Sequence, residues 1–310
     1  MFDPESCPIL HLDRDQLERE VAEIETGNYF QNLNETVVKA EPVPLFDGVS
    51  RKRQVAKIIS IHSFRGGTGK SNLTANLAAL LTRAGHRVGV IDTDIQSPGI
   101  HVIFALKPAE IHLALNDYLW GRCPIEQAAH DVTSSVVGHW DESADRPRLF
   151  MIPSSVNTGE IARILREGYD IAVLHDGIRK VIEELRLDFL LIDTHPGVNE
   201  ETLLSIAISD QLLLVMRPDN QDFQGTAVTV ELARRLDVQE MHMVLNKIPS
   251  SVDRELLREQ VEGAFKVPVL GLLPLSSEMA QLASSGLFSL RYPHHPLTRE
   301  LHHIAARLMQ

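Results

Sequence analysis

The chain of 310 residues carries 30 Lys and Arg against 42 Asp and Glu, which gives a formal net charge of −12. Two isolated cysteines, Cys7 and Cys123, argue against a disulfide framework, a structural zinc and a cysteine-held iron–sulfur cluster. No secretory leader pattern begins the sequence and no stretch has the ~18 apolar residues of a membrane span, so we expect a cytoplasmic protein. The negative charge also opposes tight, sequence-independent nucleic-acid binding, although local basic patches can override it.

The first 54 residues differ in composition from the rest of the chain. They are polar and acidic, contain Pro42 and Pro44, and end in the basic run 51–53. We interpret residues 1–54 as an N-terminal extension and linker that binds a partner or regulates the protein, and residues 55–310 as the main domain.

A short amphipathic helix is predicted inside the extension, with Asp13 as its N-cap. Leu17, Val21 and Ile24 follow at the spacing that places them on one helix face. Such a stripe packs either on the core of this chain or on a partner.

A regular alternation of short apolar runs and longer amphipathic segments starts at Lys57. This pattern is typical of βαβ units, and several runs are apolar almost throughout, as expected when helices cover both faces of a parallel sheet. The predicted fold is therefore α/β, a doubly wound, mostly parallel sheet of seven to eight strands with helices on both faces. The stretch 100–147 is the least regular, with a surface loop predicted around 138–147. The strand candidates are 57–63, 87–92, 149–152, 188–193, 211–216, 241–246 and 268–273.

A glycine-rich turn, FRGGTGKS at residues 64–71, joins the first strand candidate to a helix. Glycines let successive backbone N–H groups point at a polyphosphate, and the helix N-terminus adds the positive end of its dipole. Lys70 is predicted to bridge the β- and γ-phosphates, and Ser71 to place its hydroxyl on Mg²⁺. The remaining phosphate contacts are expected from Gly66, Gly67, Thr68 and Gly69.

The turn departs from the common P-loop string G-x-x-x-x-G-K-[ST], which requires glycine at position 64. This chain has Phe64 there, and matches instead the deviant string K-G-G-x-G-K-[ST] with Arg65 in place of the leading lysine.

Two further strand candidates end in aspartates. One runs into Asp92-Thr93-Asp94 and the other into Asp193. Ligand groups in open α/β sheets gather at the carboxyl ends of the strands, so we expect these carboxylates to converge on the glycine-rich turn. A lone aspartate at such a place is more often a helix cap, so the prediction rests on the combination.

The strings RGGTGKS, IDTDIQSPGI and LLIDTHPG together resemble the MinD/ParA branch of deviant Walker A P-loop ATPases, of the SIMIBI class, over residues 57–310. The resemblance implies a site for ATP and Mg²⁺ in which Lys70 is the P-loop lysine and Ser71 a magnesium ligand. It also implies that Asp94 orients the attacking water and that Asp193 holds magnesium through water.

Three positions differ from the family pattern. The family's leading lysine reaches across an ATP-sandwiched dimer to the partner's phosphates, and Arg65 keeps that charge with a different geometry. We therefore assign Arg65 to the catalytic residues with Lys70 and Asp94. Asn72 replaces a second hydroxyl residue next to the phosphates, and we count it among the nucleotide-binding residues. His195 stands where many relatives have a small residue or proline, and we interpret it as a turn residue rather than a catalytic group.

The predicted base is adenine. GTPases grip guanine with N-K followed two positions later by Asp, whereas here Asn246-Lys247 is followed by Pro249, so the guanine-binding carboxylate is absent. The resemblance implies that Asn246 and the backbone around Pro274 border the adenine.

The resemblance also implies a cycle in which ATP joins two subunits, the dimer binds a surface or client, and a partner stimulates slow hydrolysis. The first hypothesis is a spatial organiser that positions DNA, division machinery or another cargo. Its implied partners are a second copy of the chain and an activating or cargo protein.

Two alternatives stay open. DTDIQSPGI is also similar to a string of the cluster-carrier branch, whose members are assembly or maturation factors, but Cys7 and Cys123 do not match the cysteines that hold those clusters. The other alternative is a non-hydrolysing regulator in which Arg65 and Asn72 have detuned hydrolysis.

Non-specific DNA binding is a possible use of three basic patches, each of which is equally typical of a solvated helix face. Direct membrane binding is not expected, because the apolar stripe of the last helix is predicted to pack on the sheet. The patches are Arg51–Arg53, Arg179 with Lys180, and Arg234 with Arg235, and the stripe is Leu301, Ile304, Ala305 and Leu308.

Overall fold

The glycine-rich turn follows a central strand of one sheet in the computed structural model of the chain, which describes residues 12–27, 33, 56–137 and 147–310. Within those residues the sheet has eight strands in the order β3-β4-β2-β5-β1-β6-β7-β8. All neighbours are parallel except β3 and β4. The strands are β1 (Lys57–His62), β2 (Val88–Asp92), β3 (His130–Asp131), β4 (Leu149–Ile152), β5 (Phe189–Asp193), β6 (Gln211–Met216), β7 (Glu240–Ile248) and β8 (Val269–Pro274).

Helices cover both faces of this sheet. In chain order they are α1 (Arg14–Glu25), α2 (Lys70–Arg83), α3 (Ile100–Ile103), α4 (Leu115–Leu119), α5 (Ser134–Val137), α6 (Thr158–Glu167), α7 (Ile171–Glu184), α8 (Glu200–Ala207), α9 (Asn220–Arg235), α10 (Arg254–Phe265), α11 (Ser277–Leu282), α12 (Phe288–Arg291) and α13 (Pro296–Leu308). Short 3₁₀ turns lie at Pro108–Glu110 and Ile125–Ala128.

The predicted α/β fold is confirmed, and the seven strand candidates agree with the structure to within one or two residues at each end. The sequence missed β3, a two-residue antiparallel edge strand. The first helix of the main domain begins at Lys70, inside the glycine-rich string 64–71. Residues 138–146 of the predicted surface loop, and the basic run 51–53, lie outside the described residues.

The sheet separates the core into two sides because alternate residues of a strand point to opposite faces. Ile59 and Ile61 of β1 pack with α2 and α13 on one side. Ile192 of β5 packs on the other side, with residues of α7, α8 and α9. The stripe on α13 is buried on the sheet as predicted, with Leu301 2% and Leu308 0% exposed. No helix among the described residues is long and apolar enough to cross a membrane.

Helix α1 begins after Asp13, whose side chain accepts a hydrogen bond from the backbone N–H of Gln16 at 3.0 Å, as predicted. Its apolar stripe packs on α9 of the same chain, and Val21 is fully buried. Glu25 forms an ion pair with Arg235 at the end of α9. The stripe is therefore covered by this chain's own core.

Candidate nucleotide-binding site

The backbone of the glycine-rich turn takes conformations that require glycine. Gly67 and Gly69 have positive φ angles of 76° and 99°, where a side chain is strained. A Cβ at Gly69 would also clash with the side-chain amide of Asn246. Lys70 begins α2 and is 93% buried, with 7% of its surface exposed. The turn thus places a cation and the free N–H groups of a helix start around one point.

Two side chains of β7 hold the turn in this shape. Asn246 Nδ2 donates to the carbonyl oxygen of Thr68, and Lys247 Nζ to that of Gly67, both at 2.7 Å. Lys247 itself has a positive φ of 58°, and its N–H donates to Asn246 Oδ1 at 2.8 Å. Asn246 therefore supports the phosphate loop as well as bordering the cavity, a role that the sequence analysis did not assign to it or to Lys247.

The two acidic strand ends lie side by side, because β2 and β5 are neighbours with Asp92 opposite Asp193. Burial raises the pKa of Asp193 to about 6, against the opposing effects of Lys70 and of hydrogen bonds from Ser71 and Thr74. Thr74 Oγ1 lies 3.3 Å from Asp193 Oδ1. The Ser71 hydroxyl thus lies near the Asp193 carboxyl, and oxygen atoms of these kinds are the ligands that Mg²⁺ prefers.

Asp92 is fully buried and holds the loop that carries Asp94. Its carboxyl oxygens accept hydrogen bonds from the N–H groups of Asp94 at 3.0 Å and Gly99 at 3.3 Å. Burial, and then the nearby Asp193 and Asp94, raise the pKa of Asp92 well above its ordinary value. Sequence reasoning gave this residue no role of its own, although the D-x-D string contains it.

Asp94 points toward the loop after β5. Its Oδ1 lies 2.7 Å from Nδ1 of His195, and both side chains are about four-fifths buried. The sequence analysis interpreted His195 as a turn residue, and the structure adds this contact with the predicted water-orienting carboxylate.

The predicted residues converge on a cavity of about 700 Å³. Thr68 and Asp193 lie buried beside it rather than on its wall. Two buried oxygen atoms at the loop, Thr68 Oγ1 and Asn72 Oδ1, have no hydrogen-bond partner within the described part of the chain. The free amides, the buried cation and the unpaired Thr68 hydroxyl can donate to phosphate oxygens, and the Ser71 and Asp193 oxygens beside Lys70 suit Mg²⁺, so the residues present fit a magnesium-bound polyphosphate. The predicted residues on the wall are Gly66, Gly67, Gly69, Lys70, Ser71, Asn72, Asp94, Asn246 and Pro274.

Arg65 is the one predicted residue that turns away from this cavity. Its guanidinium hydrogen-bonds to Gln221 and lies 3.9 Å from Asp222, both in the first turn of α9. Asp222 is 1% exposed and also pairs with Arg217 through two hydrogen bonds of 2.9 and 3.1 Å. In this structure Arg65 is therefore held against its own subunit.

A second buried histidine, His62, lies at the end of β1 and was not predicted. Thr194 Oγ1 donates to the carbonyl of Ile61 at 3.0 Å, so it accepts from Nδ1–H of His62 at 2.7 Å. Complete burial, and then the positive charge of Lys70, lower the pKa of His62 to about 3. The imidazole is thus neutral, with its proton on Nδ1.

A parallel sheet with this loop at the carboxyl end of a central strand, and carboxylates on the neighbouring strands, defines a P-loop NTPase. A family model described as ParA, NUBPL iron-transfer P-loop NTPase, matches residues 54–309. The chain belongs to this family, the MinD/ParA group of P-loop NTPases.

Relatives of known sequence and structure agree with this assignment. An uncharacterised ATP-binding protein of Methanocaldococcus jannaschii is 28% identical over 82% of this chain and 88% of its own length. A cytosolic Fe-S cluster assembly factor, cfd1 of Aspergillus clavatus, is 28% identical over 75% of this chain and 70% of its length. The septum site-determining protein MinD of Pyrococcus horikoshii, solved with Mg-ADP, shares the fold with a TM-score of 0.64 at 19% identity, over 82% of this chain and 96% of that one.

Proposed function

We propose that the protein binds ATP with Mg²⁺, hydrolyses it slowly, and acts as an ATP-dependent dimer that positions a cellular cargo. One observation carries the ATPase part of this proposal. The buried Lys70, the Ser71 hydroxyl and the Asp94 carboxylate meet at a single cavity, and Asp193 lies buried beside it. Phosphoryl transfer needs these groups and little else, since its catalysis is mostly positioning and electrostatic stabilisation.

Each residue has a distinct task in this proposal. The N–H groups of the loop and Lys70 bind the phosphates, and Ser71 with Asp193 holds the metal site. Bound Mg²⁺ supplies charge neutralisation at the phosphate oxygens. Asp94 hydrogen-bonds a water and directs its lone pair toward the terminal phosphate. The absence of a carboxylate at Pro249 supports adenine as the base.

The coupling of nucleotide state to a partner is supported by the position of two loops. The segments that follow Asp94 and Asp193 both border the phosphate end of the cavity. Loops held by a terminal phosphate relax when it leaves, which is how such sites report hydrolysis to a partner. Localisation in the cytoplasm and the regulatory role of residues 1–54 are parts of the same proposal.

The ATPase part is tested with purified protein and two variants. Lys70→Ala should lose binding of a fluorescent ATP analogue, whereas Asp94→Ala should keep binding and lose phosphate release. The non-hydrolysing regulator replaces our proposal if wild type and Asp94→Ala release phosphate at equal rates. Binding of GTP in preference to ATP would refute the choice of base.

The cargo is tested by imaging a fluorescent fusion in cells, beside the same fusion of Lys70→Ala. Foci, polar caps, oscillation or nucleoid staining that depend on Lys70 support a spatial organiser. Uniform fluorescence in both strains contradicts it.

A second candidate is an assembly or maturation factor for a metal cluster, favoured by the iron-transfer function after which the family is described and by the similarity to cfd1. Against it, Cys123 is half-buried away from the cavity. Iron retained by protein purified under reducing, anaerobic conditions would favour this candidate, and iron-free protein would favour the first.

The described basic patches give little support to the hypothesis that the protein binds DNA. Arg234 hydrogen-bonds to the carbonyl of Phe265, Arg235 pairs with Glu25, and Lys180 lies 3.9 Å from Glu126. Retention on non-specific DNA with ATP at low but not high salt would restore that option.

A further inference from the structure

The two carboxyl oxygens of Asp94 have different surroundings. Oδ1 accepts hydrogen bonds from Nδ1 of His195 at 2.7 Å and from the N–H of Ser97 at 3.0 Å. Oδ2 has no partner among the described residues, although the side chain borders the nucleotide cavity. One oxygen is therefore fixed by the protein, and the other is left to accept a hydrogen bond from water.

The proton in the contact between His195 and Asp94 can be assigned. An ionised carboxylate only accepts hydrogen bonds. Nδ1 of His195 therefore carries the hydrogen and donates it. A hydrogen bond to a charged group is shorter and about twice as strong as a neutral one, and the 2.7 Å separation agrees with this.

The backbone of His195 is itself held on both sides. Before it, Thr194 is buried between His62 and the carbonyl of Ile61. The carbonyl oxygen of His195 accepts a hydrogen bond from Thr202 Oγ1 in α8 at 3.3 Å. Pro196 follows and restricts the backbone of His195 further. The ring also lies between the nucleotide cavity and a smaller one of about 180 Å³.

We propose that His195 is a positioning residue of the ATPase reaction, which fixes the Asp94 carboxylate so that Oδ2 faces the attacking water. Without the ring, Ser97 remains as the only described donor to Oδ1, and the carboxylate can rotate about its side-chain bonds. His195 acts through Asp94 and does not contact phosphate. This inference rests on the proposed ATPase function.

The test compares three substitutions of His195 in the full-length chain. An asparagine amide can place a donor where Nδ1 of histidine lies, whereas a glutamine amide reaches the position of Nε2. His195→Ala and His195→Gln should lower kcat for ATP by about 10- to 100-fold, as expected for the loss of a charge-assisted hydrogen bond. His195→Asn should turn over at least several-fold faster than His195→Ala. Binding of a fluorescent ATP analogue should change less than about twofold in all three, and His302→Ala on the exposed face of α13 is the control.

A merely structural role makes a different prediction. In that case the Asn and Gln variants would be equally impaired, or nucleotide affinity would fall together with kcat, and either result overturns the proposal. In the background of Asp94→Ala, His195→Ala should not lower the slow residual rate of phosphate release any further, since the two residues act as a unit. Independent, additive losses contradict the inference.

An NMR measurement that does not depend on ATP hydrolysis distinguishes failure of this inference from failure of the proposed ATPase function. Imidazole ¹⁵N resonances, with His195 assigned from the spectrum of His195→Asn, should report a proton on Nδ1 that is hydrogen-bonded in wild type. That signature should be lost in Asp94→Ala. If the wild type shows this signature but does not hydrolyse ATP, the contact between His195 and Asp94 is present and the proposed ATPase function is wrong. If the wild-type spectrum lacks the signature, the proposed role of His195 is refuted.

Discussion

Phe64 stands where the common P-loop string has glycine, and its ring needs space that the chain provides at Gly225 in α9. A Cβ at Gly225 would overlap the Phe64 ring. The ring atoms that this Cβ would meet include Cγ, so the whole ring and not only its far end would have to move. Phe64 in the loop therefore requires a glycine at position 225 of α9.

Gly225→Ala is expected to lower the free energy of unfolding by about 1–3 kcal/mol through overpacking. The matched control is Gly263→Ala in α10, where an added Cβ meets nothing within 4 Å. That change should stabilise by about 0.5–1 kcal/mol, since alanine favours helix more than glycine does. Urea unfolding measures both, and equal effects of the two substitutions would contradict the packing argument. Adding Phe64→Ala should relieve the loss caused by Gly225→Ala.

The buried His62 makes a prediction about pH. Its folded-state pKa of about 3 lies below the ordinary value of 6.5. Between these values His62 is protonated in the unfolded chain but neutral in the folded chain. The stability that neutral His62 contributes is therefore lost as the pH falls below about 6.5. Asp193 acts in the opposite direction, because its pKa is raised from the ordinary 3.8 to about 6. Between these values its contribution to stability increases as the pH falls.

His62→Asn isolates this contribution, because asparagine can still donate to Thr194 but does not ionise. The difference in unfolding free energy, wild type minus variant, should decrease by up to about 1.4 kcal/mol per pH unit below 6.5. Chemical unfolding at pH 7.5, 6.0 and 5.0 gives the three points. A difference that stays constant over this range would show that His62 is not buried neutral.

Short sequence motifs were sufficient to predict that certain residues lie at the cavity, where that position follows from their neighbours in sequence. Lys70 and Ser71 follow from the turn and the helix start, and Asp94 and Asp193 from strand ends that topology brings together. His62 and the partner of Arg65 were not predictable in this way. Their environments are made by residues more than 100 positions away, which a single sequence does not identify.

At the scale of elements, strands buried on both faces were easy to recognise because their apolar runs are continuous. Edge strand β3 has two residues and pairs through its backbone with β4, so it leaves no hydrophobic pattern to find. The stripe of α1 predicted a packing surface but not which one. Only the contact with α9 decided between the chain's own core and a partner.

The docking of α1 on α9 predicts that Val21 contributes to the stability of the main domain. Val21→Ala should lower the free energy of unfolding by about 1–3 kcal/mol, since Val21 is completely buried between the helices. Glu18→Ala on the exposed face of the same helix should change it by less than about 0.5 kcal/mol. Thermal or urea unfolding of the full chain checks both. If Val21→Ala behaves like Glu18→Ala, α1 is held only weakly.

At the scale of the whole molecule, the contact of Arg65 with α9 bears on the proposed dimer. An arginine that reaches a partner subunit's phosphates has to leave Gln221 and Asp222 first. Part of the free energy of dimerisation is then used to break these contacts. If the proposed dimer forms in this way, the contact with α9 favours the monomer until ATP is bound.

Gln221→Ala removes one of these anchors without touching the cavity. We expect half-maximal dimer to form at an ATP concentration about 2- to 10-fold lower than in wild type, since one hydrogen bond to a charged group is lost from the monomer alone. Analytical ultracentrifugation, with Asp94→Ala in both proteins to prevent turnover, measures the midpoint. Asn220→Ala, the exposed neighbour at the start of α9, controls for changes at the helix terminus. An identical midpoint for the two substitutions would mean that Arg65 is not restrained by α9, whereas a dimer that persists unchanged in Arg65→Ala would show that Arg65 takes no part in dimerisation.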